Sequence, residues 1–86
     1  MSTSCEVAVV LPAHLHARPA GALVRAAATF SSTVEVLFGD KSANARGVLA
    51  LLGLGATAGA TVIVRAVGDD ASDAAQAVAS VLRTAQ

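Results

Sequence analysis

The stretch EVAVVLPAHLHARPA, residues 6–20, decides the fold, because one periodicity gives way to another inside it. Residues 6–11 alternate as a strand does, with Val7, Val9 and Leu11 on one face. Pro12 has no N–H to offer a ladder and ends that strand. Beyond it, apolar residues recur at Ala20, Leu23, Val24, Ala27 and Phe30. Those are helical spacings, predicting a helix over 17–30 with Arg25 outside the apolar stripe. His14, Leu15 and His16 occupy the joint between strand and helix.

Outward from this joint the alternation returns. Ser31-Ser32 break the helical pattern, and Val34, Val36 and Phe38 alternate with Thr33, Glu35 and Leu37 as a half-buried strand. Gly39-Asp40-Lys41 read as a turn, and residues 42–45 as a short returning strand. Residues 48–54 predict an apolar helix of about two turns, with Gly53, Gly55 and Gly59 at its exit. Residues 61–67 predict a strand with Val62, Val64 and Ala66 on one face. Gly68-Asp69-Asp70 lead into a last helix whose stripe is Ala71, Ala74, Ala75, Val78 and Leu82. Asp69, Asp70 and Asp73 near its start and Arg83 near its end follow the order a helix dipole favours. The order β-α-β-β-α-β-α predicts an α+β domain, a four-stranded, mostly antiparallel sheet with three helices on one face. No linker, repeat or low-complexity tail divides the chain, so one domain is expected over 1–86.

Composition excludes several functions. With six Lys/Arg against six Asp/Glu, no Trp, no Tyr and two Phe, the chain lacks the basic surface and stacking rings of a nucleic-acid binder. A lone Cys5 excludes a disulfide framework within one chain. The uncharged run over 47–64 reaches 18 residues, the bare length of a membrane span, but four Gly and four Ala dilute it. The first residues carry Glu6 and no Lys or Arg ahead of the apolar stretch, unlike a signal peptide. A cytoplasmic protein with no membrane insertion is expected.

The chemistry concentrates in His14-Leu15-His16-Ala17-Arg18-Pro19-Ala20. Histidine acts as a nucleophile near neutral pH. A helix N-terminus presents unpaired N–H groups and a positive dipole end, a ready seat for a phosphoryl group. Arg18 adds a forked cation suited to phosphate oxygens. Two local rules conflict, however. Proline prefers the first helical position and disfavours helical geometry just before it. Applied strictly, they start the helix at Pro19 and leave His16 short of the cap.

His16-Ala17-Arg18-Pro19-Ala20 resembles the phosphorylation-site signature of HPr, the histidine phosphocarrier family of the bacterial phosphoenolpyruvate:sugar phosphotransferase system. The element order and length agree over nearly the whole chain, and residues 44–64 resemble the family's second helix, glycine-rich exit and fourth strand. The resemblance implies an open-faced β-sandwich. It implies that His16 accepts a phosphoryl group on Nδ1 from phosphorylated Enzyme I and passes it to a His on an EIIA domain. It further implies that the Ala17 and Arg18 N–H groups hold the phosphate and that the Arg18 side chain assists. It makes the chain a carrier rather than an enzyme, with no cofactor. A regulatory module read by a transcriptional or nitrogen-related system is the competing expectation.

Two positions depart from the family pattern. His14 stands where the family has Gly, and it either crowds His16, perturbs it or points into water. As a metal pair, His14 and His16 share a face of an extended segment, but two ligands fall short of a structural or catalytic zinc site. Gly47 stands where many relatives carry a regulatory Ser, so that phosphorylation site is expected to be missing. The family docks partners on its second helix and the start of its first. By position those residues are Val48, Leu49 and Leu52 beside Ala17, Gly21 and Arg25, with Arg18, Arg25 and Arg46 as a positive rim. A monomer is expected.

Overall fold

The computed structural model describes residues 3–85; residues 1, 2 and 86 of the expected 1–86 domain lie outside the described residues. Its elements are β1 (Thr3–Val10), α1 (Ala17–Ala28), β2 (Thr33–Phe38), β3 (Lys41–Asn44), α2 (Val48–Leu52), β4 (Thr61–Gly68) and α3 (Ala71–Arg83). The strands form one antiparallel sheet with the helices on one face, as expected from the element order, and the structure gives their order in it as β1-β4-β2-β3. β1 starts three residues earlier than its apolar alternation, because polar Thr3 and Ser4 still pair with Gly68 and Val67. α2 is shorter than its apolar run; Gly53 ends it and Leu54 is buried beyond it.

Side-chain alternation sorts the sheet. Val9, Val34, Val36, Val62, Val64 and Ala66 are buried toward the helices. Against them lie Leu23 and Ala27 of α1, Leu51 of α2, and Ala71, Ala74, Ala75, Val78 and Leu82 of α3. The small alanine side chains let α1 and α3 sit close to the sheet. On the open face Glu35 stands opposite Arg65 and accepts a 2.8 Å hydrogen bond from its Nη2, a half-exposed pair that marks register more than it adds stability. The uncharged run over 47–64 divides into α2, a glycine-rich loop and β4. Among the described residues no helix is long and apolar enough to cross a membrane.

One polar clamp ties the β2 end of the sheet to α3. Asp70 stands at the N-cap position of α3, but its side chain makes no hydrogen bond to that helix. Its carboxylate accepts hydrogen bonds from the Ser31 and Ser32 N–H groups, both at 2.9 Å, and from the Ser32 hydroxyl. Ser32 is buried, and Gly68 makes room for it. A Cβ at Gly68 would lie 2.8 Å from Ser32 Cα, and its φ of +147° is a conformation few other residues adopt. The Ser32 hydroxyl foremost, then the Ser31 N–H, hold the Asp70 carboxyl down at about 2, against an ordinary 3.8. A carboxylate with a depressed folded-state pKa stabilises the fold fully above its unfolded value and loses that contribution as pH falls toward the folded one. The Asp70→Asn variant should therefore be less stable than the wild type at pH 7. Its melting temperature should also fall less between pH 4 and pH 2. Parallel acid limbs for the two proteins would contradict the clamp.

Candidate functional site

The segment between β1 and α1 is held by the glycine-rich loop that follows α2. Leu11 N–H donates to the Ala60 carbonyl at 2.9 Å, and the Leu11 carbonyl accepts from Gly59 N–H at 2.8 Å. Leu15 N–H donates to the Ala56 carbonyl at 3.0 Å, and the Leu15 side chain is buried. These bonds fix the backbone on either side of His14. The His16 N–H then folds back to the His14 carbonyl at 3.1 Å.

His16 itself is the N-cap of α1. Its backbone is extended (φ −105°, ψ −169°), and its carbonyl accepts the first helical bond from Ala20 N–H at 3.0 Å. α1 thus begins at Ala17, not at Pro19, which resolves the conflict in the sequence. Pro19 occupies the third helical position, where an N–H has no partner inside the helix anyway. Its ring loses nothing there and is buried.

The consequence is a defined donor set. Pro19 has no N–H and Ala20 gives its own to His16. Among the described residues, the Ala17 and Arg18 N–H groups meet no protein acceptor. They stand at the positive end of a 12-residue helix with no acidic residue in its first turn. Ala17 and Arg18 are exposed and His16 is half-buried. Arg18 also flanks a shallow groove of about 260 Å³, shared with Pro19 and Ala22 of α1 and with Val81, Thr84 and Ala85 near the end of the chain. Nothing in the sequence marks that side of the groove, because α3 reaches it only through the fold.

His14 does not point away from the site. It is exposed, and its ring centre lies 4.8 Å from that of His16, with the planes tilted by 59°. Among the described residues no group of three or more His, Cys, Asp and Glu comes together. Cys5 is half-buried beside the core.

α2 packs against α1, the two helices on which the docking residues are expected. Leu49 is 84% exposed and Val48 36%, while Leu51 turns fully inward and Leu52 is half-buried. Ala17, Gly21 and Arg25 repeat every four residues along α1 and share one face. The Arg25 guanidinium lies back over Gly21, where an added Cβ would meet its Nη1 at 3.6 Å. Arg46 departs from the expected rim. Its Nη2 donates to the Phe30 carbonyl at 2.6 Å and lies 3.5 Å from that of Ala27, at the far end of α1 from His16. It offsets the negative end of that helix, leaving Arg18 and Arg25 as the rim. Gly47 is the extended N-cap of α2 and has no hydroxyl to modify.

Fold and site together define a small α+β domain with a histidine at a helix start. The chain matches the family model described as the PTS HPr component phosphorylation site over residues 3–84, and it belongs to that family. It is similar to HPr of Thermoanaerobacter tengcongensis, with 31% identity, 93% of this chain and 90% of that one covered, and a TM-score of 0.79. For the phosphocarrier protein HPr of Bacillus anthracis the values are 27%, 94%, 96% and 0.80. Crh, the catabolite-repression protein of Bacillus subtilis crystallised as a swapped dimer, is 32% identical, with 86% and 85% covered and a TM-score of 0.76.

Proposed function

We propose that this chain carries a phosphoryl group on His16 between phosphorylated Enzyme I and a His on an EIIA domain, in the cytoplasm and as a monomer. The observation that carries this reading is the position of His16 at the cap of α1, next to Arg18 and two N–H donors that meet no acceptor among the described residues. The His16 Nδ1 lone pair attacks phosphorus as the donor's N–P bond breaks, and the reverse exchange delivers the group to the acceptor. The Ala17 and Arg18 N–H groups and the Arg18 guanidinium receive the phosphoryl oxygens. Because the chain gives the group away unchanged, it is a carrier and not an enzyme. The phosphohistidine must also leave, and an exposed helix end stabilises it only moderately.

The apolar residues Val48, Leu49 and Leu52, beside Ala17, Gly21 and Arg25, form the docking face in this reading. A small patch with a cationic rim suits brief encounters with acidic partners. The similarity to Crh favours a second reading, in which the phosphorylation state of His16 is read by a regulatory partner. Transfer of label onward to EIIA separates the two.

Incubation with Enzyme I and labelled phosphoenolpyruvate should label the wild type and leave His16→Ala unlabelled; label on that variant would refute the assignment. Ala17→Pro tests the donor set, since proline suits a first helical position and the extended His16 before it. A hydrogen bond to a charged group contributes about 1.5–3 kcal/mol. The variant should fold normally yet hold phosphohistidine about tenfold or more less well; an unchanged yield would remove the Ala17 N–H from the site. Leu49→Asp should change stability by less than about 0.5 kcal/mol. It should nevertheless slow transfer from Enzyme I, and unaltered kinetics would place docking elsewhere.

A further inference from the structure

The feature that the phosphocarrier reading leaves unused is His14. Its ring stands 4.8 Å, centre to centre, from that of His16, tilted rather than stacked. That separation has a geometric meaning. With a metal–nitrogen bond of about 2.0–2.1 Å, each imidazole centre lies roughly 3.2 Å from a bound ion, so two rings set at 90–110° have centres about 4.5–5.2 Å apart. The observed spacing falls inside that range. The two residues are i and i+2 on a segment whose backbone is pinned at Leu11 and Leu15, so both rings hang from one fixed stretch of chain.

We propose that His14 and His16 form an open, exchangeable chelate for a borderline transition-metal ion of the zinc class, and that a bound ion blocks phosphorylation of His16. Among the described residues no third His, Cys, Asp or Glu joins the pair, so water completes the coordination in this proposal. The site is therefore neither structural nor catalytic, and the fold does not depend on it. Imidazole selects zinc, nickel or copper over magnesium, which prefers oxygen. A neutral imidazole has one lone pair; the other nitrogen carries the proton. Once the ion holds that lone pair, His16 has none left with which to attack phosphorus. Metal and phosphoryl group thus exclude each other. The blocking half of the proposal rests on the phosphocarrier reading; the chelate does not.

Calorimetric titration with Zn2+ alone, and the imidazole NMR signals followed alongside, test the chelate. Zinc should shift the ring signals of both His14 and His16 and bind at least tenfold more weakly to His14→Gln, while Mg2+ should leave both rings unmoved. Equal zinc affinity in the two proteins, or a response confined to one ring, would overturn it. In the labelling assay, zinc should inhibit wild type at least tenfold more strongly than His14→Gln; equal inhibition would overturn the block. A protein that chelates zinc as described but takes no label even in zinc-free buffer would fail the phosphocarrier reading and leave the chelate standing.

Discussion

Everything at the candidate site depends on how Leu15 is held. Its side chain is buried and its N–H is bonded to the Ala56 carbonyl, so the residue just before His16 is anchored to the loop after α2. Burial of a leucine side chain contributes about 1.5–3 kcal/mol, and the hydrogen bond adds about 0.5–1.5 kcal/mol. Together with the Leu11 contacts, this makes the joint between β1 and α1 part of the folded core and not a free loop. His16 can then cap α1 in one conformation. Its ring is presented at the place where the helix offers N–H groups.

That arrangement explains why so small a site suffices. Pro19 removes one donor and the His16 carbonyl engages Ala20, so the helix start is reduced to the Ala17 and Arg18 N–H groups. In the proposed phosphocarrier function, two backbone donors and the Arg18 guanidinium receive the phosphoryl group at an exposed helix end without enclosing it. A carrier needs that balance, since tighter binding would slow release as much as it favoured capture. The proposed docking face follows the same logic. Leu49 is exposed on a helix whose neighbour Leu51 anchors it to the core, so the apolar patch is presented on a fixed support.

The strands were legible because Val7/Val9, Val34/Val36 and Val62/Val64 alternate cleanly, and the helices because alanine and leucine recur at helical spacings, whereas the order of the strands in the sheet was not. The chemistry of His16 and Arg18 singled out their segment, and the structure places both at the start of α1. What escaped were contacts whose partners carry no sequence signature. The Ala56 and Ala60 carbonyls that position the site belong to residues with no distinctive side chain. Asp70 read as a helix-start charge, yet it binds Ser31 and Ser32 across the fold. Arg46 precedes α2 in sequence and was expected beside the docking face. It instead closes the far end of α1, because α2 packs alongside that helix. The start of α1 turned on a local conflict that only the anchoring of Leu15 resolves.

The proposed function requires His16 to carry phosphate on Nδ1 at the N-terminus of α1. Phosphorus and nitrogen NMR of the protein after treatment with Enzyme I and phosphoenolpyruvate reads the bonded atom. Phosphorus should be bonded to His16 Nδ1, with the largest amide shifts at Ala17 and Arg18. Phosphorus on His14 or on Nε2, or amides at Ala17 and Arg18 that do not move, would contradict it.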